Sequence, residues 1–320
     1  NKCFQHLSHG KRHMKLKFIT LVIAAFLLFS CSSYIKESDK TVSQSEDSVS
    51  EKDYKNKLRK GEHVSNPRHL KAELKMRIKI RDVYRGMDLN RRIQKWDTDP
   101  SQKQELLVWC AEPADRYNQD LIGIKYSLPP VKVYEDRMNG NRIAFWSLTS
   151  RLPKAGKAVI DLNRTINIHR YETSFDIDPE KVGEYDKETD LYGFYTRSEP
   201  GVEITPEIKE TASQITGKEE NPYLAARAIF KWCLENLDYK YPPEKRGAAF
   251  MMESREGDCG EYSYLFCALC RASGIPARFV SGLWLGEELG FHAWAEFYLP
   301  GYGWIPADAS RADSKEGDYR

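Results

Sequence analysis

The sequence lacks a long apolar run, a dominant sign of charge and more than a handful of histidines. Its 49 basic residues face 47 acidic ones, a formal charge of +2, so no whole-chain field favours nucleic acid or an anionic surface. The apolar stretch from Phe18 to Phe29 is too short to cross roughly 30 Å of hydrocarbon as a helix. There is no Asp-x-Asp-x-Asp-Gly calcium loop, and the one Cys-x-x-Cys spacing, Cys267 to Cys270, has no second pair beside it. No metal and no cofactor is therefore expected. What remains, 320 residues with 41% hydrophobic content, suits a folded chain of two domains.

The chain opens on Asn1. Met14-Lys15-Leu16-Lys17 followed by the apolar stretch has the form of a signal peptide, so residues 1–13 read as upstream read-through and 14–30 as the leader. Leu28-Phe29-Ser30-Cys31 resembles the bacterial lipobox, although Phe29 is bulkier than the usual residue there. That resemblance implies cleavage before Cys31, lipidation of its thiol and anchoring by acyl chains. The plainer alternative is an ordinary secretory cleavage site. Residues 31–66, rich in Lys, Glu, Ser, Asp and Asn, bury too little apolar surface to offset chain entropy and read as a flexible tether.

Beyond Cys31 stand Cys110, Cys233, Cys259, Cys267 and Cys270, an odd number for an exported protein, so at least one thiol is free or pairs with another chain. Cys267 and Cys270 fall within an apolar helical pattern and read as packing residues; a thiol oxidoreductase built on them is the rival reading.

From 67 to 200 the pattern has period two. Leu74, Met76, Ile78 and Ile80 alternate with basic residues, and further short apolar segments follow around 106–109, 122–126, 131–134, 143–148 and 159–171. Asn139-Gly140 between two of them is a hairpin turn. An antiparallel β-sandwich is expected here, with His169 structural. From 201 to 320 the period changes. Thr205-Pro206-Glu207 and Asn221-Pro222 open helices, a third spans Cys259 to about Ala272, and strands follow at 277–285, 292–299 and 303–307. Helices first and strands after make an α+β domain.

Cys259 stands at the start of the third helix. Backbone N–H groups and the positive end of the helix dipole favour an anionic sulfur there. Its own N–H can donate to an oxyanion, and Gly260 leaves room for a substrate backbone. His292 is the one histidine after Cys259 and so the one candidate base. It leads a strand face shared with Trp294, Glu296 and Tyr298. Asp308, after the next strand, is placed to orient the imidazole, with Glu296 as rival.

The combination of Gly257-Asp258-Cys259-Gly260-Glu261-Tyr262-Ser263, Arg271-Ala272-Ser273-Gly274-Ile275-Pro276-Ala277-Arg278 and His292-Ala293-Trp294-Ala295-Glu296 closely resembles the transglutaminase-like superfamily, over roughly 222–310. The resemblance implies a papain-like core of helices on an antiparallel sheet, with Cys259 as nucleophile, His292 as base and Asp308 as the third member. The β domain is similar to the one that often precedes bacterial members. The chain stops twelve residues after Asp308, where the family's core usually continues, so a truncated C-terminus is expected.

The implied chemistry is acyl transfer through a thioester. With water as acceptor the protein is a peptidase or amidase; with a lysine amine it is a cross-linking transferase. An inert scaffold on the same fold is the non-enzymatic alternative. The expected setting is a monomeric lipoprotein of the bacterial envelope, bound to membrane through its N-terminal lipid, with no nucleic-acid partner. Its substrate would be a protein or peptide, peptidoglycan stem peptides among them.

Overall fold

The computed structural model describes residues 42–45, 61–79, 106–136, 138–148, 151, 159–285 and 289–313. The expected leader, Cys31 and the final residues lie outside them, as does most of the expected tether. Chain contacts divide the protein into two units, with breaks at 46/47, 68/69 and 169/170, the last two inside long strands.

The first unit is built from strands: β1 (Val42–Ser45), β2 (Glu62–Lys79), β3 (Leu107–Glu112), β4 (Gln119–Tyr126), β5 (Lys132–Glu135), β6 (Arg142–Ser147) and β7 (Val159–Phe175). They form two sheets, ordered β1-β2-β7-β4 and β3-β6-β5. Alternation in the sequence becomes alternation in burial: Ile160, Leu162, Ile166 and Ile168 of β7 point inward. Ile78, Ile160 and Leu162 pack against Val108, Ala144, Trp146 and Leu148 of the other sheet. Each such side chain contributes about 1.5–3 kcal/mol of burial. The β5–β6 hairpin turns at Asn139-Gly140, where Gly140 takes φ +66°.

Two features differ from the expectation. Val42–Ser45 and the start of β2 lie in the segment read as tether, yet β1 pairs antiparallel with β2 from Val42 opposite Ala72 to Ser45 opposite His69. Strand pairing uses backbone groups, so a polar segment can join a sheet without an apolar face. The division between units falls at 169/170 rather than 200/201, because β7 is one continuous strand whose last residue, Phe175, packs against the core of the second unit.

The second unit carries α1 (Asp190–Tyr195), α2 (Pro206–Thr216), α3 (Pro222–Asn236), β8 (Asp238–Tyr239), α4 (Ala248–Ser254), β9 (Glu256–Gly257), α5 (Cys259–Ala272), β10 (Ala277–Leu285), β11 (Leu289–Leu299), β12 (Gly303–Ala307) and α6 (Ala309–Asp313). The helix starts follow their caps. Thr205 Oγ1 accepts from the Ile208 amide, and Asn221 Oδ1 from those of Tyr223 and Leu224. Strands β10, β11 and β12 form an antiparallel sheet in that order, and β8 pairs parallel with β9. Helix α5 lies at the centre, with Leu265, Phe266, Cys267, Leu269 and Cys270 fully buried against α2, α3, α4 and the sheet. At its far end the buried Arg271 donates to the carbonyls of Ala277 and Arg197, both at 2.8 Å, and pairs with Glu199 at 2.8 Å. Among the described residues no helix is long and apolar enough to cross a membrane; this says nothing of spanning by strands.

Candidate active site

The N-terminus of α5 begins where β9 ends. Asp258 caps it, its Oδ1 accepting from the Gly260 amide at 2.8 Å. Cys259 is the first helical residue and 6% exposed. Its carbonyl accepts from Ser263 Oγ at 2.7 Å. The sulfur thus stands at the positive end of a helix.

His292 comes from β11, and Asp308 is the first residue after β12 of the same sheet. The antiparallel register of β11 and β12 sets Ala295 opposite Ala307, and the chain beyond that pair delivers Asp308 beside His292. His292 Nε2 and Asp308 Oδ2 are 2.6 Å apart. The other carboxylate oxygen of Asp308 accepts from Ser310 Oγ at 3.0 Å and the Arg311 amide at 3.1 Å, so the residue caps α6 while facing the imidazole. His292 also hydrogen-bonds the Cys259 thiol. Since Asp308 occupies Nε2, the nitrogen left for sulfur is Nδ1. The ring of Trp294 lies 6.2 Å from that of His292 at an interplanar angle of 26°. Gly282, paired with His292, makes room for this indole, because a Cβ there would stand 2.9 Å from it.

Burial by itself lowers the imidazole pKa, but the hydrogen bonds to Asp308 and Cys259 and their charges outweigh it and raise His292 to about 9. The ring is therefore an imidazolium at neutral pH. The Tyr239 phenol, half-exposed, is pushed up to about 12, first by burial and then by the charges of Cys259 and Asp258.

The rival carboxylate is elsewhere. Glu296 is 2% exposed and engaged by Arg278, with Nε at 2.8 Å and Nη2 at 2.6 Å. Cys267 and Cys270 are fully buried within α5, and burial pushes the Cys267 thiol up to about 12. Gly260 has a structural use as well. The space its missing Cβ leaves is lined by Asp258 Oδ1 at 3.1 Å and Arg246 Nη1 at 3.2 Å, so the glycine admits an arginine.

That arginine is the part sequence reading missed. Arg246 Nη1 donates to Asp258 Oδ1 at 2.8 Å, Asp258 Oδ2 at 2.9 Å and Glu261 Oε2 at 2.7 Å. Only the Asp258 cap position hinted at it. Among the described residues no three His, Cys, Asp or Glu side chains are grouped to hold a metal ion.

Comparison with known proteins gives this arrangement a family. Residues 209–309 match the family described as the transglutaminase-like superfamily. An uncharacterised protein of Haemophilus influenzae is 30% identical over 36% of this chain and 39% of its own length. A protein-glutamine gamma-glutamyltransferase of Pseudomonas aeruginosa is 29% identical over 32% of this chain and 18% of its own. The chain thus spans well under half of these curated relatives. A solved structure from Cytophaga hutchinsonii, described provisionally as a cysteine protease, superposes with a TM-score of 0.55 at 18% identity, covering 78% of this chain and 79% of that one. At that identity the likeness is one of fold. The match to the transglutaminase-like superfamily is thus that of residues 209–309, the stretch that holds Cys259, His292 and Asp308.

Proposed function

We propose that the protein is a cysteine hydrolase of the cell envelope, a peptidase or amidase that uses Cys259, His292 and Asp308. The observation that carries the reading is His292 standing between sulfur and carboxylate, bonded to both. The Cys259 thiolate attacks the carbonyl carbon of an amide, and the oxygen takes up the negative charge near the amides of the α5 N-terminus. The tetrahedral adduct collapses to a thioester as the imidazolium gives its proton to the departing amine. Neutral His292 then takes a proton from water, the resulting hydroxide attacks the thioester, and the carboxylic product leaves with Cys259 regenerated. Asp308 keeps the ring in the orientation and protonation state both steps require.

The acyl donor is a protein or peptide, peptidoglycan stem peptides included, reached from a lipid anchor at Cys31. The likeness to a gamma-glutamyltransferase supports a second reading in which a lysine amine replaces water and the product is a cross-link. Purified protein incubated with peptide amides, with and without an amine acceptor, separates the two by product mass. An unchanged rate in Cys259→Ala would overturn both, and a Cys259 inert to substrates and iodoacetamide alike would indicate a scaffold.

A further inference from the structure

Asp258 and Glu261 flank Cys259 on either side, and both are 0% exposed. Two buried carboxyls beside a sulfur that must become an anion are an electrostatic liability unless something offsets them. Arg246 supplies one positive charge, through the single Nη1 that reaches three of their four oxygens. The fourth, Glu261 Oε1, is buried with no hydrogen-bond partner. The Glu261 carboxyl stands within side-chain hydrogen-bond reach of Asp258, which as an acceptor suits an O–H. Glu261 is held there by packing: its Cβ and Cγ lie across Gly257, where a Cβ would stand 2.6 Å and 3.0 Å from them.

We infer that Glu261 is a positioning residue that works as a neutral acid, donating its proton to Asp258 while Arg246 clamps the pair, so that the first turn of α5 carries no uncompensated negative charge beside Cys259. The inference rests on the nucleophile reading above. One proton, one arginine and two carboxylates sum to zero, and the anion-favouring field of the helix N-terminus is left to the sulfur. Burial first, and then Asp258, push the Glu261 carboxyl up to about 8, so the proton is present at neutral pH. The other titratable groups facing this cluster are Tyr264 of α5 and Tyr239 of β8, both neutral across that range, Cys259 itself, and Glu203, which lies near Gly247.

The test uses the full chain. Iodoacetamide labelling of Cys259 is followed by peptide mass spectrometry from pH 6 to 10 in wild type and Glu261→Gln, which imitates the neutral acid. The ratio of the variant's rate to the wild type's should rise about tenfold between pH 7 and pH 9, the size of a one-unit interaction between charges, as Glu261 ionises in the wild type only; His292, raised to about 9, titrates in both and cancels in the ratio. A flat ratio overturns the inference. Melting temperature gives an independent readout. A carboxyl raised from 4.5 to about 8 stabilises fully below 4.5 and loses that contribution as pH rises toward 8. Wild type should fall more steeply between pH 4.5 and 8 than Glu261→Gln, which keeps only the fall due to other groups such as His292; identical slopes overturn the inference. Should the variant fail to fold, infrared spectra of the wild type decide instead, since the clamp predicts a protonated-carboxyl band lost near pH 8 and no such band overturns it. If Cys259 takes no label at any pH, the nucleophile reading falls, and the melting slopes still judge the clamp.

Discussion

Cys110 in the strand unit and Cys259 in the helical unit are almost equally hidden, at 8% and 6% exposed. Cys110 lies on β3 with Met76 Sδ as its sulfur contact at 3.9 Å, and burial pushes its thiol up despite Arg164 nearby. Cys259 has the same accessibility but sits at a helix start with an imidazolium against it. The buried carboxylates make the same contrast. Glu112 is held by Tyr126 Oη, 2.8 Å from both its oxygens, and by Arg164 at 3.8 Å, closing a purely structural network. Asp258 and Glu261 share one arginine beside a thiol. Burial alone therefore does not mark a functional group; its neighbours do.

The comparison breaks most plainly at the sulfurs. Cys259→Ala should lower turnover of a peptide amide at least about 10³-fold, whereas Cys110→Ala should leave it intact; the opposite pattern would move the chemistry to the other unit. Next in size is Asp308→Asn, expected to lower kcat by about 10²–10⁴. Because Asp308 helps raise His292 to about 9, the stabilisation it gives is complete below about pH 6.5 and lost as pH rises through 9. In the asparagine variant the alkaline limb of the rate profile should shift to lower pH, and an unshifted limb would remove Asp308 from its role. Glu112→Ala sharpens the contrast from the structural side. It should cost about 2–4 kcal/mol in urea unfolding, by orphaning Tyr126 and Arg164, while Cys259 labels at its wild-type rate. The smallest effect belongs to an exposed pair, Lys231 and Glu235 on α3, 3.5 Å apart. Glu235→Ala should change stability by no more than about 0.5 kcal/mol.

Much of the helical unit was legible in the sequence because its punctuation is local. Asp258 before and Gly274-Ile275-Pro276 after bracket α5, and cap residues with proline open α2 and α3. His292 could be named because it is the one histidine after Cys259, and Cys259 and Asp308 through the resemblance of the motifs around them; Glu296 is withdrawn from the imidazole by Arg278, its partner across the sheet. The Arg246 clamp was not legible. It joins residues 12 and 15 positions apart around a glycine, and no helical or strand period encodes that spacing. The pairing of β1 escaped for a different reason, since it depends on backbone groups that every sequence carries.

Arg271 acts on the nucleophile from the opposite end of the helix. Fixed to two carbonyls and Glu199, it anchors a rod of 14 residues with the sulfur at its tip. At 1.5 Å per residue the 12 steps from Arg271 to Cys259 make a lever about 18 Å long. A tilt of only about 3° at the anchor swings the sulfur by about 1 Å, a misplacement that can cost about a hundredfold in rate. A conservative change at Arg271, remote from every reacting atom, would thus register as lost aim at the far end.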